Sequence, residues 1–299
     1  DKLESIPGFN TGLAIPDMVN QLRNSKVAIS SQIQNVAPAN KILQTLRYAT
    51  CTNASMPLIA SSVVAKKVAT GSNNIIIDIK YGSGTAIKTI DKANRLSDLI
   101  INTGKAFGKT ITTIISSMDE PIGRAIGNSI EVIEAIEFLK GKIQNSDLAE
   151  IIYEIGSVTL LQLKRYDSKE KAVEYLKYLV NSGLALEKFR EIIRIQKGNV
   201  KVLESYDKFE LPMHKIKCTA KFSGMVNHID AYKIAYAGRL LGASRDRMTE
   251  HIDKSVGIFL NKKTGEQVNT EEALFTLYAN DLNKLEEIKE YCYTAFEII

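Results

Sequence analysis

Residues 46–67 read LRYATCTNASMPLIASSVVAKK, and the rest of the chain is organised around them. Ser55 and Pro57 mark a helix start, with Ser as the cap and Pro in the first turn. From there Ile59 and Val63 fall on one face with Val64 and Val68 beside it, the spacing of a buried helix side. Ser62, Ala65, Lys66 and Ala69 share another face, because residues four apart stack on a helix. Arg47 ends a preceding helical run over residues 39–46. Packed as a hairpin, the two helices bring Arg47, Ser62 and Lys66 to one small pocket. On spacing alone a Ser–Lys pair four apart is ordinarily a solvated helix face.

The whole chain bounds what that hairpin serves. Its 299 residues suffice for one large domain or two moderate ones. No apolar run approaches the 18 or so residues of a membrane span, so no membrane partner is expected. The net charge of +5 is modest, and Lys and Arg alternate with Glu and Asp, which argues against a nucleic-acid partner. Cys51, Cys218 and Cys292 are odd in number and without CxxC spacing. They read as free thiols of a reducing, cytoplasmic setting rather than a disulfide framework or a zinc site. His214, His228 and His251 show no metal-ligand spacing and are assigned no catalysis.

Outward from the hairpin, residues 15–24 predict a helix and residues 26–31 a strand. Residues 75–80, IIIDIK, are a β-branched run of the kind buried on both faces of a sheet. The run ends in Gly82-Ser83-Gly84, at the carboxyl end of the strand, where open α/β sheets bind ligands. Backbone amides of such a loop can cradle an anion, and a plain tight turn fits the same residues. Residues 92–107 predict a helix and 110–116 a strand, a second βα unit. Residues 118–135 read as a Gly-punctuated loop entering an amphipathic helix. Residues 146–197 carry apolar residues at helical period with many i, i+4 charge pairs and read as structural helices. Residues 206–212 read as a linker. From about Lys215 short strands take over, with a helix over 231–241. The K-x-G-E-x-V turn over 263–268 resembles lipoyl- and biotinyl-type barrels. Lys262 and Lys263 lack the flanking residues of an attachment lysine, so the reading is an α+β domain.

Three separated motifs, the first in two consecutive parts, carry a resemblance that covers the whole chain. A-P-A-x-K-x-L-x-x-L-R spans Ala37, Pro38, Ala39, Lys41, Leu43, Leu46 and Arg47. S-x-P-L-I-x-x-S-x-x-x-K-K follows on Ser55, Pro57, Leu58, Ile59, Ser62, Lys66 and Lys67. D-x-K-x-G-S-G stands on Asp78, Lys80, Gly82, Ser83 and Gly84, and MDEPIGRAIGNSIEVIEA occupies residues 118–135. Together they resemble the thymidine phosphorylase and pyrimidine-nucleoside phosphorylase family. The resemblance implies a nucleoside phosphorylase/phosphoribosyltransferase-type α/β fold: a mixed sheet with flanking helices, a helical-hairpin insertion and a C-terminal α+β domain. It implies an α/β phosphate-side domain over 1–38 and 71–205, a remnant of the small helical base-binding domain over 39–70, and the C-terminal domain over 214–299. The apolar sides of the 39–70 hairpin are then expected to lack partners.

The implied activity is reversible phosphorolysis: a pyrimidine nucleoside plus phosphate gives free base and a pentose 1-phosphate. The implied substrate-binding residues are Arg47, Ser62 and Lys66, with Arg47 and Lys66 catalytic. The chemistry suits them. A uracil or thymine edge presents carbonyl, N3–H and carbonyl, which Arg, Lys and a Ser hydroxyl can match. As the glycosidic bond breaks, negative charge develops on the base, and two fixed cations stabilise the transition state more than the ground state. No organic cofactor is implied. Some members of the family bind a monovalent cation, K⁺, through positions matching Ile122, Ala125 and Glu134, a hard-oxygen set. A homodimer is implied as well.

The chain departs from the family pattern at Asn40, Tyr48 and Ser117, each where a carboxylate is usual. Residues 1–9, DKLESIPGF, resemble a segment that directly follows the family's phosphate-binding region. The N-terminal helices, the Lys-His-Ser phosphate loop and the catalytic His have no counterpart here, so the chain alone is expected to have negligible phosphorolytic activity. Two alternatives stay open: a phosphoribosyltransferase of the same fold, with Asp119 and Glu120 holding Mg²⁺ and pyrophosphate, and a truncated or degenerate non-catalytic homologue.

Overall fold

The computed structural model describes residues 1–31, 37–245, 251–283 and 285–299; the side chains of Lys41 and Tyr48, both named above, lie outside that description. The chain forms two compact units, one from Asp1–Thr11, Asp119–Ala149 and Leu179–Ile299, the other from Gly12–Met118 and Glu150–Tyr178.

The second unit carries the hairpin. Helix α1 spans Ile15–Ser25 and stops at Lys26, which takes a left-handed conformation with φ 64°. The strand expected over 26–31 does not form. The Val27 carbonyl accepts from Gln21 Nε2 at 3.1 Å and from Ser25 Oγ at 2.9 Å, so the chain folds back onto the end of α1 instead of entering a ladder. Helix α2 is Pro38–Ala49 and helix α3 is Met56–Ala69. Pro57 sits in the first turn of α3 as expected, but the Ser55 hydroxyl makes no capping bond. Strand β1, Asn74–Tyr81, then runs parallel to strand β2, Thr110–Ser117, in a register that pairs Lys80 with Ser116. Helix α4, Ile90–Ala106, joins them, capped by Thr89 Oγ1, which accepts from the Lys92 amide. A Cβ added at Gly104 would stand 2.2 Å from Ile111 Cδ1, so a side chain there would drive α4 off β2. Ala60 and Val64 of α3, Ile75 and Ile79 of β1, and Ala93, Leu96 and Ile100 of α4 share one core.

The first unit is α+β. Strands β3 (Ala125–Gly127), β6 (Gly257–Leu260), β8 (Ala273–Ala279) and β4 (His214–Thr219) form an antiparallel sheet in the order β3-β6-β8-β4. A second sheet has the order β7-β5-β9, from Gln267–Val268, Gly224–Ile229 and Phe296–Ile298. Helices α5 (Ser129–Leu139), α8 (Leu184–Ile195), α9 (Ala231–Leu240) and α10 (Leu285–Tyr293) complete it. Its core centres on Phe275, fully buried and stacked on Phe296 at 5.5 Å between ring centres. Helices α6 (Asp147–Gln162) and α7 (Lys169–Asn181) lie in the 146–197 stretch read as helical. The segment read as a linker is anchored: Phe209 is buried, and Tyr206 bonds through its hydroxyl to Glu137 and accepts from Lys140 at 2.9 Å.

Candidate active site

The chain reverses between α2 and α3 through residues 50–55, where Cys51 adopts φ 54°. That reversal lays Arg47 against the start of α3. Its Nη2 donates to the Asn53 carbonyl at 2.9 Å and its Nη1 to the Leu58 carbonyl at 3.3 Å. The guanidinium fork is therefore oriented by two backbone oxygens, in a chain whose neighbouring residue is Tyr48 where a carboxylate is usual in the family. Asn40 is buried, and its amide nitrogen finds no acceptor among the described residues.

Within a helix the Leu58 carbonyl also faces the Ser62 amide, four residues on, so Arg47 stands within one turn of Ser62. Leu58, Ser62 and Lys66 climb a single side of α3. That side lies roughly half a turn round from Ala60 and Val64, which are buried against the sheet core. Ser62 and Lys66 are half-buried, whereas Lys67 is exposed. Neither the Ser62 hydroxyl nor the Lys66 ammonium bonds to another described residue. Helical side chains lean toward the N-terminus, so Lys66 leans toward Ser62 and the Arg47 end. The hairpin thus aligns one fixed guanidinium, one free hydroxyl and one free ammonium on a common stripe. Two cationic donors with a hydroxyl between them that can accept match two carbonyl oxygens and an intervening N–H.

At the carboxyl end of β1, the glycine loop is closed on itself. The amide of Gly82 donates to Ile87 O at 2.9 Å, that of Gly84 to Met118 O at 3.0 Å, and that of Thr85 to Gly82 O at 3.2 Å. Of the two readings of Gly82-Ser83-Gly84, the tight turn is the one this bonding supports, since an anion cradle needs free amides.

In the first unit, the three residues assigned to a cation lie in the loop before β3 (Ile122), at the start of β3 (Ala125) and on α5 (Glu134). The Glu134 carboxylate accepts from the Arg124 amide at 2.7 Å and the Ala125 amide at 3.2 Å. An extended residue turns its N–H and C=O to the same side, so the Ala125 carbonyl lies on the Glu134 side. Ile122 sits between Pro121, whose carbonyl accepts from Lys263, and Gly123, whose amide donates to Asp147 at 3.1 Å. Burial pushes the Glu134 carboxyl above its ordinary range, the two amides pull it down, and nearby Asp147 and Glu131 add to the rise. Gly123 has φ 73°, and a Cβ there would lie 2.6 Å from Glu134 Oε2, so this tight wrapping requires glycine.

Lys263 is nearly buried and reaches Asp147 at 2.9 Å and Glu120 at 3.6 Å. It is turned into the unit and fastens the same loop, which is no posture for an attachment lysine. A cavity of about 1110 Å³ lies beside it, with Glu134, Asp147, Phe209 and Tyr278 in its wall. Glu120, one of the two carboxylates considered for Mg²⁺, faces the Lys263 ammonium. No group of three or more His, Cys, Asp or Glu side chains is placed to hold a metal among the described residues.

The chain is similar to known proteins along most of its length. Residues 1–186 match the family described as "Glycosyl transferase family, a/b domain", and residues 225–299 match the "Pyrimidine nucleoside phosphorylase C-terminal domain". A pyrimidine-nucleoside phosphorylase of Staphylococcus haemolyticus is 38% identical over 290 residues, covering 97% of this chain and 67% of the relative. One of Staphylococcus aureus (strain USA300) is 39% identical over 280 residues, covering 94% of this chain and 64% of the relative. The chain therefore spans about two thirds of the length of these relatives.

Proposed function

The chain belongs to the pyrimidine-nucleoside phosphorylase family, and on that premise we propose that the protein it forms transfers a pentosyl group between a pyrimidine and phosphate. The reaction is reversible phosphorolysis of uridine, deoxyuridine or thymidine to free base and (deoxy)ribose 1-phosphate. The observation that carries the reading is that Arg47 of α2, fixed by the carbonyls of Asn53 and Leu58, stands beside Ser62 and Lys66 of α3, whose side chains have no partner among the described residues.

The base carbonyls take Arg47 and Lys66, and Ser62 completes the edge. As the C–N bond to the sugar breaks and phosphate oxygen bonds to C1, the electron pair moves into the pyrimidine. The two cations stabilise the resulting anion until it is protonated. A neutral pyrimidine leaves poorly unless the phosphate is positioned and a proton is supplied near its carbonyl. No role in phosphate positioning is assigned to the closed Gly82–Gly84 amides.

Three further features belong to the same proposal. K⁺ is held by the carbonyls of Ile122 and Ala125 with the Glu134 carboxylate. Support comes from the sidedness of Ala125 and from a buried carboxylate that would gain from a cation. The working form is a homodimer, supported by the apolar side chains left exposed on α1 and α2: Ile15, Val19, Leu22, Ile42, Leu43 and Leu46. The location is cytoplasmic, supported by three free cysteines, two of them buried. No helix among the described residues is long and apolar enough to cross a membrane.

The test is base release followed by ultraviolet difference absorbance, using the protein with any native sequence that adjoins this chain. Release from pyrimidine nucleosides that requires phosphate, with none from purine nucleosides, is expected. Activity that instead requires Mg²⁺ and a phosphoribosyl pyrophosphate would assign the protein to the phosphoribosyltransferases.

A further inference from the structure

Strand β1 alternates its side chains, so Ile75, Ile77, Ile79 and Tyr81 enter the core with α3 and α4 while Asp78 and Lys80 stand on the opposite face. There the parallel register brings Ser116 of β2 level with Lys80. The three side chains close a triangle. Lys80 Nζ lies 2.6 Å from Asp78 Oδ2 and donates to Ser116 Oγ at 2.8 Å, and Ser116 Oγ donates to Asp78 Oδ1 at 2.9 Å. Both charged side chains remain about one-fifth exposed, at 20% for Lys80 and 23% for Asp78.

Counting donors and acceptors shows what the triangle still offers. The Lys80 ammonium has three N–H groups and spends two, and each Asp78 oxygen keeps a lone pair. One cationic donor and one anionic acceptor therefore stand side by side, with no net charge. A phosphate gains little from such a pair, because Asp78 cancels the attraction of Lys80. The amides of Gly82, Gly84 and Thr85 in the neighbouring loop are also occupied. An alcohol gains from both groups at once, since it accepts from the ammonium and donates to the carboxylate. The position, at the carboxyl end of a parallel strand, is where sheets of this type meet their ligands.

We infer that Asp78 and Lys80, held in register by Ser116, bind a hydroxyl of the pentosyl group and hold the sugar while its bond to the base breaks. This rests on the phosphorolysis reading above and adds to it the element that recognises the sugar.

The test combines substrate and protein changes, with phosphorolysis rates measured on the protein including any adjoining native sequence. Uridine and its 2′-, 3′- and 5′-deoxy analogues are compared in the parent and in Asp78→Asn, Lys80→Met and Lys80→Arg. In the parent, loss of the contacted hydroxyl is expected to lower kcat/KM roughly tenfold to a hundredfold, the range for a hydrogen bond to a charged group. Lys80→Met should show a similar loss with uridine but no further loss with that one analogue, because the two changes remove the same contact. Lys80→Arg should recover part of the loss, and KM for phosphate should stay unchanged. A parent indifferent to all three hydroxyls would overturn the inference without needing any variant to fold. So would losses that add for every analogue, or a rise confined to the phosphate KM. Absence of base release from every pyrimidine nucleoside would overturn the phosphorolysis reading beneath it, a result distinct from an active but indifferent enzyme.

Discussion

Replacing Lys66 by Ala separates binding from folding more cleanly than any other change on the α3 stripe. The ammonium has no ion-pair or hydrogen-bond partner among the described residues, so its removal breaks no internal contact. It does stand in the last turn of α3, where a cation opposing the helix dipole is worth about 0.3–1 kcal/mol. Alanine returns a few tenths of a kcal/mol through helix propensity. The net change in stability should stay under about 1 kcal/mol. If Lys66 donates to a base carbonyl, the variant instead loses a charged hydrogen bond of roughly 1.5–3 kcal/mol. Base affinity should then fall by roughly tenfold to a hundredfold. Lys67, one residue on and exposed, points off the stripe, so Lys67→Ala serves as the matched control. Calorimetric titration of uracil into both variants, alongside urea unfolding, reads both quantities. Equal losses of affinity in the two variants, or none in either, would refute the assignment of Lys66 to the base.

Gly123→Ala places a Cβ 2.6 Å from Glu134 Oε2 on a backbone with φ 73°. Left-handed strain and a loosened pair of amide bonds should together cost about 2–4 kcal/mol in chemical unfolding, whereas a change near zero would show that the loop relaxes freely. Tyr206→Phe removes a hydroxyl bonded to Glu137. Burial alone would raise the Glu137 carboxyl, but hydrogen bonds from Lys142 and Tyr206 and the charges of Lys142 and Lys140 hold it below the ordinary carboxylate value of 4.5. A depressed folded-state pKa stabilises at neutral pH, and that contribution fades as pH falls through the folded value. The variant should therefore be about 1–3 kcal/mol less stable at neutral pH, with the gap to the parent narrowing below the carboxylate range; a gap independent of pH would contradict the network. For the cation, K⁺ should raise the melting temperature more than Na⁺ at equal ionic strength, and Glu134→Gln should erase that difference. Identical melting curves in the two salts would leave Glu134 as an ordinary helix carboxylate.

Much of this was legible in the residues. Pro57 and the four-residue spacing of Ile59 with Val63 and of Val64 with Val68 located α3, and the β-branched run located β1 with its turn. What could not be read lies in contacts that only the fold creates. The carbonyls of Asn53 and Leu58, which orient Arg47, carry no sequence signal. Strand β3 has three residues, Ala-Ile-Gly, with no alternation to detect, and exists because β6 pairs with it. Residues 26–31 looked extended by composition, but left-handed Lys26 and the side chains of Gln21 and Ser25 took the Val27 carbonyl. Helix α10 did have a signal, since Leu285, Ile288 and Cys292 recur at helical spacing and are all buried. The pairing of Asp78 with Lys80 across one alternation, and of both with Ser116, depends on a register that neither strand states by itself.

The central claim is that a pyrimidine held by Arg47 and Lys66 departs as phosphate attacks its sugar. Phosphorus-31 NMR of the protein, with any adjoining native sequence, mixed with uridine or thymidine and inorganic phosphate tests it most directly. The account predicts a pentose 1-phosphate resonance growing in step with free base, slowed by orders of magnitude in the Arg47→Met, Lys66→Met double variant. Base released without any phosphate ester, or an ester formed as fast by the double variant, would contradict it.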